Sequence, residues 1–235
     1  MERPSVLVAG ASSSWTSRVR AALTGGPLAV DVVSSGAAAL ARIDGAPDAV
    51  ALFVLEALLD DMSGLAFCRR LRESEAGASP LVLLVSPWVD EMDRILAFEC
   101  GADDFARDPF FPRELASRVQ ALLRRGRRPR VIANEGEARV GPVRVDFRKA
   151  LVEMGGRPVP LTWREFEVLR LLAQEQGRVV RRATLLGLLL GAPDAASPRL
   201  IDTYVKSIRR KLGGAGRLIE TVRGVGYRLT SDSPS

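Results

Sequence analysis

The stretch from Arg199 to Leu229 reads RLIDTYVKSIRRKL over 199–212, then GGAGRL, then IETVRGVGYRL over 219–229. At about 3.6 residues per turn, Ile201, Val205, Ile208 and Leu212 form one stripe of a helix, and Arg199, Thr203, Lys206, Ser207 and Arg210 fall on the other side. The first face packs. The second carries cations with small hydroxyl side chains between them, which suits phosphate contacts flanking groove contacts. A solvated basic helix has the same composition, so the residues that follow must separate the two readings.

Gly213, Gly214 and Gly216 break the helical period, and Leu218–Val222 and Tyr227–Leu229 read as two short strands around Arg223, Gly224, Val225 and Gly226. A basic hairpin behind a basic helix is the layout of a winged helix, in which the helix enters the major groove and the wing arginine reaches the narrow minor groove. Here the chain resembles the OmpR/PhoB class of two-component response regulators, through LTWREFEVLRLLA at 161–173, RLIDTYVKSIRRKL at 199–212 and TVRGVGYRL at 221–229. The resemblance implies that Arg199, Lys206 and Arg209 contact phosphate and that Leu200 and Ser207 face bases. Thr203, Arg210, Thr221, Arg223 and Tyr227 complete the expected DNA-binding set. Ser207 stands where close relatives often place a base-reading arginine, so the bidentate guanine contact is lost and a different preferred sequence is expected. Leu190 replaces a family tryptophan and cannot donate to phosphate.

The 235 residues suffice for two cores. Residues 1–125 hold 13 arginines and no lysine against 17 carboxylates, and residues 126–235 hold 21 cations against 11, so the net charge of +6 is carried by the C-terminal half. The nucleic-acid footprint is expected there. There is no histidine, which excludes His-based zinc sites, Ser-His triads and His acid–base chemistry; an enzyme is not expected, nor is a cofactor or a metal. Cys68 and Cys100 sit in apolar helical surroundings and read as core residues. No apolar run is long enough for a membrane span and the start lacks signal-peptide regions, so a cytoplasmic protein without a membrane partner is expected.

In the N-terminal half, the apolar runs Val6–Ala9, Val50–Leu55 and Leu81–Val85 alternate with helical segments near 15–23, 63–73 and 90–100. Such strands belong to a parallel sheet covered on both faces, with functional residues at the carboxyl ends. Ala29–Val33 and Asp104–Ala106 supply two more strands, and Pro112–Leu123 a last helix opening on proline. The expected fold is α/β: a flavodoxin-like five-stranded receiver domain (1–124), a basic linker (125–136) rich in arginine from Arg124 to Arg130, and an α+β winged-helix DNA-binding domain (137–231). In the latter a small antiparallel sheet spans Ala138–Asp146, Ala150–Met154 and the segment to Leu161, before helices near 163–175 and 181–190.

The resemblance to receivers rests on LEALLDDMSGLAF at 55–67 and GADDFARDPFFPREL at 101–115. It implies an acidic pair holding magnesium, a phosphoacceptor aspartate, and a threonine and lysine that contact the phosphoryl group. The matching positions are Gly10 and Ala11, Glu56, Val85 and Asp108, so none of these family residues is expected to be retained. Magnesium needs oxygen ligands that glycine and alanine side chains do not offer, and phosphoryl transfer is expected to fail. Glu56 projects a carboxylate where an aspartyl phosphate would place its oxygens, as a mimic or as a merely solvated residue. If Glu56 and Asp108 approach each other, one must recruit a cation or titrate upward.

Arg94, Glu99, Asp103, Asp104, Glu114 and Arg118 match intersubunit charge pairs of family dimers. The expected function is a phosphorylation-independent, atypical response regulator that binds double-stranded DNA as a homodimer, with RNA polymerase as a further partner and a histidine kinase as a doubtful one. The alternative is a docking scaffold for another regulator or polymerase, with DNA binding secondary.

Overall fold

The computed structural model describes residues 3–44, 46, 49–74, 80–88, 90–127, 136–190 and 199–231, and the chain divides into two compact units, Met1–Arg128 and Pro129–Ser235. The first unit alternates β1 (Ser5–Ala9), α1 (Ser13–Leu23), β2 (Ala29–Val33), α2 (Gly36–Ala41), β3 (Leu52–Glu56), α3 (Gly64–Glu73), β4 (Leu81–Ser86), α4 (Glu91–Glu99), β5 (Asp104–Arg107) and α5 (Pro112–Arg127). Its strands are parallel in the order β2-β1-β3-β4-β5, the doubly wound arrangement in which the carboxyl ends gather the chemistry. The inner strand β4 is wholly buried, whereas β2, at the edge, is half-buried to exposed, as its aspartate suggests.

Helix starts follow local chemistry. Ser12, Ser35, Ser63 and Asp90 each accept the backbone N–H three residues on, from Trp15, Ala38, Ala66 and Asp93, satisfying donors the helix leaves unpaired. Helix α2 was not expected from the sequence. Its residues, GAAALA, carry no polar face to mark a period, and its one local signal is the Ser35 cap. Helix α5 runs four residues past the expected Leu123, because nothing in ALLRRGR breaks a helix outright. A single glycine costs only about 1 kcal/mol against alanine.

Asp61, in the β3–α3 loop, adds a second cap on α2: its carboxylate accepts the N–H groups of Gly36 (2.7 Å) and Ala37 (2.9 Å). The Ala37 bond first, then that of Gly36, hold its carboxyl below the ordinary value of 3.8. A depressed carboxyl contributes stability above its unfolded pKa and loses it as pH falls through the folded value. Thermal melts of Asp61→Asn and wild type should therefore differ at neutral pH and draw together only as the pH falls below about 4 and through the folded value.

Deeper in this unit, Arg72 of α3 donates to the carbonyls of Gly101 (2.8 and 3.0 Å) and Pro80 (2.8 Å) and to Asp103 (2.8 Å), which also accepts the Val82 N–H at 2.8 Å. Asp103 is 1% exposed. It was expected at a dimer surface; its carboxylate instead points inward, where Arg72 and a backbone amide neutralise it.

The second unit opens on an antiparallel sheet of β6 (Glu137–Val140), β7 (Val143–Asp146), β8 (Leu151–Met154) and β9 (Arg157–Pro158). Helices α6 (Trp163–Gln174), α7 (Arg182–Leu190) and α8 (Arg199–Lys211) follow, and a 3-10 turn over Gly213–Leu218 leads to β11 (Ile219–Val222) and β12 (Gly226–Leu229). The two-residue β10 (Val180–Arg181), too short to show a period, pairs with β12 and makes the hairpin a three-stranded sheet. Thr162 and Glu165 close a capping box on α6, and Lys211 joins it at 2.7 Å from Glu165. Phe166, Leu169 and Leu172 of α6, Leu185 and Leu189 of α7, and Ile201, Val205 and Ile208 of α8 are buried in its core.

Candidate functional site

The helix written at 199–212 forms, and its two faces divide as the period requires. Ile201, Val205, Ile208 and Leu212 are buried, while Arg199, Lys206 and Arg210 are exposed and Thr203 and Ser207 half-buried. The Thr203 hydroxyl donates back to the Arg199 carbonyl (3.3 Å), and Ser207 accepts from Arg210 at 3.4 Å. Two expected contacts are corrected. Leu200 is 2% exposed and Tyr227 is 3% exposed, so neither presents its side chain to a duplex. Leu200 lies one position before Ile201, inside the apolar arc, and a helix facing a core buries more than one stripe.

Tyr227 instead ties the hairpin to the helix. Its hydroxyl donates to Asp202 of α8 at 2.5 Å and accepts from Arg182 of α7 at 3.3 Å. Arg182 also reaches Asp202 at 2.8 Å and lies over the ring, 4.7 Å from its centroid. Arg209 covers the ring at 5.8 Å and donates to the Ile219 carbonyl (2.6 and 3.1 Å) and to Thr221 (2.8 Å). Burial first, then the Asp202 carboxylate, raise the phenol above its ordinary value, so it stays a donor. Arg209, expected at phosphate, and Thr221, expected in the DNA-binding set, thus tie β11 to α8.

At the tip of the hairpin Thr221, Arg223, Gly224 and Val225 are exposed, and Gly224 turns at φ +74°, a conformation glycine adopts without a Cβ penalty. Gly226 is required for a different reason. A Cβ there would overlap the Val180 carbonyl, where β10 pairs with β12. The side chains of Arg125, Arg127 and Leu190, and all of Arg128, Pro129 and Arg130, lie outside the described residues. Arg124 is exposed.

In the first unit, Gly10, Glu56 and Asp108 stand at or just past the carboxyl ends of β1, β3 and β5. Among the described residues Glu56 makes no ion pair; it accepts the Ser12 N–H at 3.1 Å, crossing to the β1–α1 loop. Asp108 recruits Arg18 of α1, at 3.0 and 3.4 Å, whose guanidinium also lies 5.3 Å over the Phe110 ring. Asp108 is thus paired with an arginine, while Glu56 is turned to a backbone amide. Ala11 is exposed, and Gly10 lies against the indole of Trp15. Val85, paired in register with Glu56, is fully buried. The threonine position matched to Val85 thus carries no hydroxyl, and the hydroxyl at this strand end belongs to Ser86, whose Oγ accepts the Trp88 N–H at 3.1 Å. The displacement is a single residue, which a strand converts into the opposite side-chain direction.

On the face of α4, β5 and α5, Arg118 bridges Asp104 (3.3 Å) and Glu114 (2.9 Å) within the chain. Glu99 is exposed and Arg94 half-buried. Burial pushes the Cys68 thiol up to about 12, an unreactive core residue. Among the described residues no helix is long and apolar enough to cross a membrane.

A doubly wound sheet with carboxylates at its strand ends, and a basic helix with a hairpin wing, define a receiver and a winged-helix DNA-binding unit. The chain belongs to the response regulators of the transcription-regulating kind: residues 6–120 match the response regulator receiver domain and residues 156–229 match "Transcriptional regulatory protein, C terminal". It is 36% identical over 202 residues to the sensory transduction protein RegX3 of Mycobacterium tuberculosis, covering 84% of this chain and 86% of that protein. It is likewise 36% identical over 229 residues, 96% of each, to the transcriptional regulatory protein PrrA of the same species. Among solved structures, a RitR mutant shares the fold at TM-score 0.77 and 22% identity, over 97% of this chain and 100% of that one.

Proposed function

We propose that this chain is an atypical response regulator, with a degenerate receiver that is not switched by phosphorylation and a winged helix that binds specific DNA sequences as a dimer. The observation that carries the reading is the state of the strand-end pocket. At the acceptor position Glu56 is engaged by a backbone amide, at the acidic pair there are Gly10 and Ala11, and at the lysine position Asp108 is neutralised by Arg18. Such a pocket has a glutamate in place of the acceptor aspartate and an aspartate in place of the lysine. Incubating the protein with acetyl phosphate and magnesium should leave its intact mass and its sedimentation unchanged; a gain of one phosphoryl mass would sink the reading.

Two groups of residues support dimerisation through the α4–β5–α5 face. The charges Asp104, Glu114 and Arg118 form one network, and the large apolar side chains Met92, Leu96 and Phe111 are exposed at 65, 37 and 76%. Apolar residues rimmed by charge are the usual anatomy of a protein interface. Arg118→Glu should set like charges against Asp104 and Glu114 and weaken the dimer, so that the sedimentation coefficient falls toward that of a monomer at micromolar concentration. An unchanged coefficient would remove this face from the assembly. On this reading control lies in protein level, dimerisation or a bound partner, with RNA polymerase as a natural one, rather than in a kinase.

A further inference from the structure

The receiver fold implies a magnesium ion held by a pair of carboxylates after β1, and the residues of this chain do not fit it. The first of the two positions is Gly10. A Cβ built on Gly10 would lie 2.6 Å from Cε3 and 2.8 Å from Cζ3 of Trp15, and 2.7 Å from Oε2 of Glu56. Atoms do not approach so closely, so any side chain at this position must displace something. The Glu56 carboxylate is the far end of a flexible chain and can turn away. The indole cannot do so cheaply, because Trp15 is 2% exposed, sits in the first turn of α1 and is packed in the interior at crystal-like density. Among the described residues no cluster of three or more Asp, Glu, Cys or His side chains could hold a metal ion. What faces Gly10 is the edge of the indole ring beside the Glu56 carboxylate.

We infer that Trp15 seals this pocket: the indole ring fills the space of the first metal-ligating side chain, and Gly10 is the residue that admits the ring. The inference rests on the phosphorylation-independent reading and deepens it, since a pocket that had only lost its ligands would regain them by substitution, whereas a filled one would not. Three contacts act together in the closed state. The ring covers the Gly10 backbone, Glu56 turns to the Ser12 N–H at 3.1 Å, and Arg18 draws Asp108 toward α1 at 3.0 Å. Ser86 keeps its hydroxyl at the end of β4, so the block lies on the β1 side of the pocket rather than around all of it.

The test compares two full-length variants. The first carries Gly10→Asp, Ala11→Asp, Glu56→Asp and Asp108→Lys; the second carries the same four with Trp15→Ile. Titration calorimetry with magnesium chloride should detect binding to the second that is at least about tenfold tighter than to the first, since a full set of oxygen ligands becomes available only when the ring is gone. Equal affinity in the two overturns the inference, and so does binding to neither when both retain a native near-ultraviolet spectrum.

Should the multiple variants fail to fold, a double-mutant cycle carries the test. Gly10→Ala should lower the melting temperature by roughly 5 °C in the wild-type background, because overpacking a rigid core is destabilising. In the Trp15→Ile background the same change should cost little. An equal cost in both backgrounds overturns the inference. Phosphorylation of the wild-type protein would defeat the reading of function on its own, without touching the outcome of this cycle, so the two failures are distinguishable.

Discussion

Alanine at Lys206, Arg210 and Arg223 together is expected to lower the affinity for a selected duplex by about a thousandfold, taking roughly tenfold for each charge-assisted contact removed. All three side chains are exposed, so thermal stability should stay within about 0.5 kcal/mol of wild type per site. Salt gives an independent measure. With roughly six phosphate contacts, wild-type affinity should fall about a thousandfold between 50 and 200 mM salt, and the triple variant should have a log–log slope shallower by about 3. Fluorescence anisotropy on a duplex recovered by selection from genomic fragments reads both quantities. A slope unchanged by the three substitutions would place the nucleic acid elsewhere on the protein. The same selection discriminates a regulator from a scaffold, which would enrich no motif of its own.

Arg72→Met is expected to destabilise the first unit by about 3–5 kcal/mol, measured by urea unfolding. The magnitude follows from what is left behind. The Asp103 carboxylate, 1% exposed, would lose its cation while still enclosed, and an uncompensated buried charge costs far more than the pair contributes as a pair. Three further donor contacts, to Gly101 and Pro80, would vanish with it. The sign of the argument is tested by the companion Arg72→Met/Asp103→Leu, which removes both charges and should recover most of the loss. If the double variant is as unstable as the single one, the carbonyl contacts of Arg72 rather than its charge hold α3 to the α4–β5 loop.

Much of the candidate interface was legible because its periods are strong. The stripe Ile201–Val205–Ile208–Leu212 and the charges opposite it follow from helical geometry alone, and the hairpin is marked by glycines around Arg223. Where reading failed, the missing information was three-dimensional. Leu200 and Tyr227 lie in segments dense with nucleic-acid signals, but the width of a buried arc and the partner of a phenol depend on what packs nearby. Asp103 and Asp104 look alike in sequence. One turns inward to Arg72 and the other outward to Arg118, a division that only the pleat of β5 and the position of α3 decide. Helix α2 and the strand β10 are too short, or too uniform, for any periodicity to mark them.

The amino-acid sequence by itself determined the order of the longer elements, the two-unit plan, the basic half of the molecule and the replacement of an acidic pair by Gly10 and Ala11, because each depends on residue type and local spacing. Only the tertiary structure decided how those residues are used. It made Tyr227 the clamp between wing and helix, bent Arg209 from its expected phosphate role to the Ile219 carbonyl, bound Glu56 to Ser12, and set the Trp15 ring against Gly10. The physical reason is the same in each case. A side chain's partner is whatever the fold brings within a few ångströms of it, and residues 10, 15 and 56, or 182, 202 and 227, become neighbours only when separate strands and helices close around one core.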